Sequence, residues 1–176
     1  MFRVDEVKSN EIGRVMEIID DAKRLLGKDS LQWQQGYPNI EVMQKDINSG
    51  NLFGVYEDGL LVGIESLIIG EDMNYFEIYD GAWLKDVSDT DLVIHRIAVK
   101  EEYHHRKIGQ ALMEYAEQYA KKEGCTSIKV DTHVKNIAMQ KLLENNKYTY
   151  CGVIYLKRNE IDNQRIAFEK VIEMGD

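Results

Sequence analysis

Residues 92–120 read LVIHRIAVKEEYHHRKIGQALMEYAEQYA, and the apolar period changes once along the way. Leu92 to Val99 is β-branched or aliphatic apart from His95, Arg96 and Ala98, as in a largely buried strand. From Ile108 onward the apolar residues Leu112, Tyr115, Ala116 and Tyr119 recur at helical spacing. They leave Glu114, Glu117 and Gln118 on a wet face. The segment is therefore a strand, a short basic loop and an amphipathic helix. The loop feeds its backbone N–H groups to an open helix N-terminus, where unpaired donors and the positive end of the helix dipole attract a phosphate. Gly109 lets backbone approach a ligand without an intervening Cβ, and Arg106 and Lys107 add positive charge.

Outward from this segment the chain alternates strands and helices. Ser127 to Thr132 is a second strand, and Asn136 opens a further helix. Two closing strands, near Tyr150 to Lys157 and Arg165 to Val171, read as a hairpin across Asn159 to Asn163. On the N-terminal side, Phe2 to Val7 reads as a strand. Asn10 to Leu26 reads as a helix with Ile12, Val15, Met16, Ile19 and Ala22 on its apolar face and Gly27 at its C-cap. A second helix is expected from Ile40 to Ile47, and a hairpin from Leu52 to Ile69 turns at Asp58-Gly59. A strand is expected near Tyr75 to Tyr79, followed by a mobile connection through Trp83 to Asp91. Long hairpins mixed with crossover helices imply a mixed α/β sheet with helices on both faces.

Composition narrows the function classes. The chain has 176 residues, 44% hydrophobic and 30% charged, with one proline, no repeats and no low-complexity tract, which suits one domain over residues 1–176. No apolar run approaches bilayer length, and MFRVDEVKSN lacks the apolar core of a signal peptide. A cytoplasmic protein with no membrane partner is expected. Cys125 and Cys151 form neither a disulfide framework nor a zinc pattern, so no metal is expected. Cys151, flanked by Tyr150 and Gly152, reads as a buried small hydrophobe rather than a nucleophile. A net charge of −9 argues against nucleic acid as a partner. The same charge is compatible with attracting a cationic amine, although simple solubility is the plainer account of it.

Arg106-x-x-Gly109-x-Ala111, set between the strand ending Arg96-Ile97-Ala98-Val99 and a helix, resembles the signature of the GNAT superfamily of acyl-CoA-dependent N-acetyltransferases. The resemblance covers roughly the last half of the chain. It implies an α/β fold, one GNAT-like domain with a mixed central sheet of about seven strands flanked by about four helices. It also implies acetyl-CoA as cosubstrate. Loop residues His105, Arg106, Lys107, Ile108, Gly109, Gln110 and Ala111 would hold the CoA pyrophosphate, and His104 belongs to the same loop. Ile97, Ala98 and Val99 would pair with the pantetheine arm and polarise the thioester, and Asn136 would complete the cofactor set.

The resemblance further implies transfer of the acetyl group to a primary amine, in a small molecule or peptide, by direct attack in a ternary complex. His95 is the first candidate base, because period-2 alternation places it on the strand face of Val93 and Ile97 and imidazole ionises near neutral pH. A packed, inert core histidine is the alternative. His133, after the Ile128–Thr132 strand, is the second candidate, and Asp131 could orient either histidine or attract the amine. Family members often carry a tyrosine that protonates the leaving thiolate where this chain has Leu143. Tyr155 and Tyr150 are weak substitutes, and solvent is another. Trp33, Tyr37, Tyr75 and Trp83, with Tyr79, could form an aromatic wall for the acceptor, or pack helices onto the sheet. The missing tyrosine motivates an alternative function, a non-catalytic acyl-CoA-binding sensor. GNAT domains often pair through edge strands, so a homodimer is the further partner considered.

Overall fold

Asp58 and Gly59 both take positive φ, 52° and 83°, the backbone of a two-residue type I′ turn. They fold β2 (Leu52–Glu57) back onto β3 (Leu60–Ile69). The computed structural model describes residues 2–26, 33, 36–104, 106–158 and 161–173. The described strands are completed by β1 (Phe2–Glu6), β4 (Asp91–Val99), β5 (Ser127–Thr132), β6 (Thr149–Tyr155) and β7 (Gln164–Val171). They form one seven-stranded sheet in the order β1-β2-β3-β4-β5-β7-β6. Neighbours are antiparallel except β4 and β5, which are parallel.

Among the described residues four α-helices cover the two faces: α1 (Ile12–Leu26), α2 (Ile40–Asn48), α3 (Ile108–Lys122) and α4 (Ile137–Asn145). Val15, Ile18 and Ile19 of α1 and Met43 and Ile47 of α2 pack on one face with Leu52, Ile64 and Ala98. Met113, Ala116 and Ala120 of α3 and Met139 and Leu143 of α4 pack on the other with Phe53, Leu67 and Ile94. The mixed α/β sheet expected from the sequence is the one observed. Gly27, the expected C-cap of α1, lies outside the described residues. Among the described residues no helix is long and apolar enough to cross a membrane.

Two irregularities open the middle of the sheet. The β3–β4 register passes from Ile64↔Ala98 to Ser66↔His95, so Glu65 stands opposite both Arg96 and Ile97. This is a β-bulge, and Arg96 takes a φ of 50° within it. The bulge corrects the alternation expected for β4. Arg96 pairs with Asp46 of α2, whereas Ile97 packs among the α3-side residues, so His95 and Ile97 lie on opposite faces. The β4–β5 register then ends after three pairs, Asp91↔Ser127 to Val93↔Lys129. Beyond them the two strands diverge.

Residues 70–90 differ from the expected strand and mobile connection. A 3₁₀ turn covers Met73–Tyr75, started by the Asp72 carboxylate, which accepts the Asn74 N–H at 2.8 Å. Asp80 at φ 57° and the close approach of Gly81 to β6 allow only an isolated bridge, Tyr79↔Val153. A Cβ on Gly81 would lie 2.0 Å from the Cys151 carbonyl oxygen. The connection is also tied down: Trp83 Nε1 donates to the Tyr75 carbonyl at 2.8 Å, and the Leu84 N–H donates to Glu169 at 2.7 Å.

Candidate active site

Where β4 and β5 part, a cleft of about 800 Å³ passes between them, walled by Ile94 to Val99 on one side and Val130 to Thr132 on the other. From the α3 and α4 face it is lined by Lys107, Ile108, Gly109, Gln110, Lys141, Leu142 and Asn145. From the opposite face come Trp33, Tyr37, Asn74, His95, Arg96 and Arg158.

The α3 end of the cleft suits an anion. Lys107 sits at the helix N-cap in the left-handed region, φ 64°, and its side chain makes no capping hydrogen bond. The Ala111 N–H bonds back to the Lys107 carbonyl at 3.1 Å. The preceding amides, Ile108 to Gln110, thus begin the helix without a side-chain acceptor, as at phosphate-binding helix starts. A Cβ on Gly109 would come within 3.3 Å of the Leu142 side chain, so a larger residue at this helix start would press on α4. His104 lines the cleft with its ring Nε2 3.1 Å from the Val99 carbonyl. Asn136 lines it while capping α4, its Oδ1 accepting the Met139 N–H at 3.1 Å. The residues present therefore fit the pyrophosphate and arm of CoA.

Other loop residues lie elsewhere. Arg106 is drawn to Glu57 at 3.1 Å and to the Tyr103 ring, and does not line the cleft. Ala111, in the first turn of α3, packs toward Val55 and Val62 of the sheet. His105 lies outside the described residues.

At the other end, His95 Nε2 lies 3.1 Å from Asp72 Oδ2 in a half-buried position. Burial opposes ionisation of Asp72, but the His95 hydrogen bond and charge and the Asn74 N–H hold its carboxyl below the usual value. Asp131, also in the cleft wall, moves the opposite way. Burial pushes its carboxyl up, only partly countered by the Tyr75 hydroxyl, which donates to it at 2.6 Å, and by the charges of His95 and Arg165.

The second candidate base is not brought here. His133 is 4% exposed, with Nε2 2.7 Å from Asp162 and Nδ1 accepting the Lys135 N–H at 3.1 Å. It joins β5 to α4, and it does not line the cleft. Tyr155 is turned to the surface, edge-on to Tyr79 at 5.5 Å, and Tyr150 packs against Phe168, so neither reaches the cleft. Leu143 is fully buried in the core. Cys151 is buried, and burial followed by Glu169 pushes its thiol up to about 11.

The expected aromatic wall is divided. Trp33 and Tyr37 line the cleft, although the neighbouring Gln32, Gln34 and Gln35 lie outside the described residues. Tyr75 is fully buried behind the cleft, with Trp83 packed on it at 5.2 Å, and Tyr79 is exposed at the surface. Sequence reasoning missed Asp72, Asn74 and Arg158, which come from segments without an apolar period.

The family model described as Acetyltransferase (GNAT) family matches residues 14–148. The chain belongs to this family. Membership assigns it acyl-CoA-dependent acetyl transfer in general terms. A GNAT-family acetyltransferase from Streptococcus agalactiae is 31% identical, covering 98% of this chain and 96% of that one with a TM-score of 0.85. Two more distant acetyltransferases share the fold. The PaiA N-acetyltransferase of Thermoplasma acidophilum, solved in complex with coenzyme A, is 16% identical over 97% of this chain and 99% of that one, TM-score 0.69. The ribosomal-protein-S18-alanine N-acetyltransferase of Escherichia coli is 13% identical over 100% and 97%, TM-score 0.68. No curated protein sequence matches the chain.

Proposed function

We propose that the chain, acting as one domain, transfers the acetyl group of acetyl-CoA to a primary amine of a small molecule or peptide. Attack is direct, within a ternary complex in which proximity supplies much of the rate. The observation that carries this reading is His95 on the wall of the cleft, held 3.1 Å from Asp72 behind it, opposite in face to the α3 N-terminus. With Nε2–H donated to Asp72, Nδ1 of His95 is the atom that accepts the amine proton. Backbone amides of Ile97 and Val99, beyond the last β4–β5 pair, are the donors for the thioester oxygen. As the N–C bond forms, the C–S electron pair leaves as the thiolate. A thiol pKa near ~8.5 makes it a tolerable leaving group without a tyrosine at position 143.

His95→Gln is expected to lower kcat by roughly 10²–10⁴-fold while coenzyme A affinity, measured by calorimetry, is unchanged. Full turnover in that variant removes the assignment. Acetylation of no amine by the wild-type protein, with coenzyme A bound normally, would favour the sensor reading instead.

A further inference from the structure

From a platform built beside His95 we infer the chemical class of the acceptor: an amine that also carries a carboxylate, which Arg158 receives. The inference rests on the acetyl-transfer reading above and deepens it. Its foundation is Asp46 of α2, 5% exposed, which accepts the Ser66 hydroxyl at 2.6 Å. The same carboxylate grips Arg96 twice, from Nε at 2.7 Å and from Nη2 at 2.9 Å. Arg96 Nη1 in turn donates to the Tyr37 hydroxyl at 2.7 Å, fixing that ring in the cleft wall. On the ring face lies the guanidinium of Arg158, 3.8 Å from the centroid. A guanidinium stacked in this way keeps its N–H donors in its own plane, where a carboxylate can be met by two of them. Arg158 is exposed and lines the cleft.

The same part of the chain is tied to the proposed base through hydrogen bonds. The Lys157 N–H, one residue before Arg158, donates to Asn74 Oδ1 at 2.7 Å. The Asn74 N–H donates to Asp72 Oδ1 at 2.8 Å, and Asp72 Oδ2 holds His95. An amine at His95 and an acid group at Arg158 are therefore addressed by two ends of one hydrogen-bonded staple.

Among the described residues Arg96, Lys107, Lys141, Arg158 and Arg165 line the cleft with Asp131 as the acidic one, and of the five Arg96 is paired with Asp46 and Arg165 is buried. Lys107 and Lys141 stand at the α3 and α4 end, proposed for the CoA phosphates, while Arg96 and Arg158 stand with His95. The net charge of −9 is thus not repeated among the described lining residues of the cleft.

The test is a set of matched acceptors at saturating acetyl-CoA: L-leucine against isoamylamine, L-phenylalanine against phenethylamine, L-lysine against cadaverine. The acid-bearing member is expected to exceed its partner in kcat/KM by roughly tenfold to hundredfold, carried in KM. Arg158→Gln should collapse that ratio toward unity, and Arg158→Lys should restore part of it. Equal or better use of the decarboxylated amines by the wild-type protein overturns the inference. So does a ratio that survives Arg158→Gln while acetyl-CoA affinity falls, which would give Arg158 to the cosubstrate. If none of the six compounds is acetylated, calorimetry on the CoA-saturated protein decides the inference separately from the transfer reading. Tighter binding of N-acetyl-L-leucine than of N-isoamylacetamide, dependent on Arg158, supports it. Equal binding, or none, overturns it.

Discussion

Asp72 and Asp131 both feel the charge of His95, yet their surroundings drive them apart. Asp72 has a donor on each oxygen, so ionisation wins over burial. Asp131 is dominated by burial, with the Tyr75 hydroxyl as its close partner. Carboxyl groups separated in this way serve different tasks. Asp72 is an ionised anchor that fixes the His95 ring, and Asp131 is a polar wall residue. Asp72→Asn preserves shape while removing that anchor. It is expected to lower kcat about tenfold to hundredfold with coenzyme A affinity intact, measured by steady-state kinetics beside calorimetry. His95 was legible in the sequence as a polar residue inside an otherwise apolar strand. Asp72 was not, because the loop that carries it has no period and reaches β4 only through the fold.

At the scale of elements, segments with a strong period were legible almost to the residue. The Asp-Gly hairpin, the β5 strand and the start of α3 are where the pattern places them. Elements shaped by contact were not. The bulge at Arg96 depends on Glu65 facing two residues at once, and nothing in LVIHRIAV marks it. The Tyr75–Tyr79 segment has strand-like composition, but it starts at the end of the 3₁₀ turn that Asp72 caps, and Gly81 lets its far end press onto β6. That contact also makes a prediction. Gly81→Ala would set a Cβ 2.0 Å from the Cys151 carbonyl oxygen, so the segment must lift. The expected cost is roughly 1–3 kcal/mol of stability, seen in urea unfolding. Turnover should fall with it, since Asp72 and Asn74 belong to the displaced segment.

For the molecule as a whole, one buried group sets part of the pH response. Glu65 is fully buried on β3, and neither carboxylate oxygen has a hydrogen-bond partner among the described residues. Burial alone raises its carboxyl well above the usual value, so the folded chain holds it neutral, near the rings of Tyr115 and Tyr148. The unfolded chain releases that proton near pH ~4.3. Because folded Glu65 binds the proton more tightly, its contribution to stability is fully present below that pH. It is lost progressively as pH rises toward the folded value. Glu65→Met should therefore raise stability modestly at pH 4, by removing the unpaired carboxyl, and by about 1–3 kcal/mol more at pH 8. Urea midpoints at the two pH values check both halves of this expectation.

The three-rung seam between β4 and β5 has a thermodynamic consequence of its own. It joins a four-stranded leaf, β1 to β4, to a three-stranded leaf, β5, β7 and β6, and past Val93 the rungs stop. A molecule lying along the open edge acts as a splint, so its affinity and the heat resistance of the sheet become linked by mass action. Coenzyme A at a hundredfold excess over its Kd should add about 2.7 kcal/mol and raise Tm by roughly 5–10 °C. Deuterium uptake should slow first along Ile94 to Val99, where the missing rungs are.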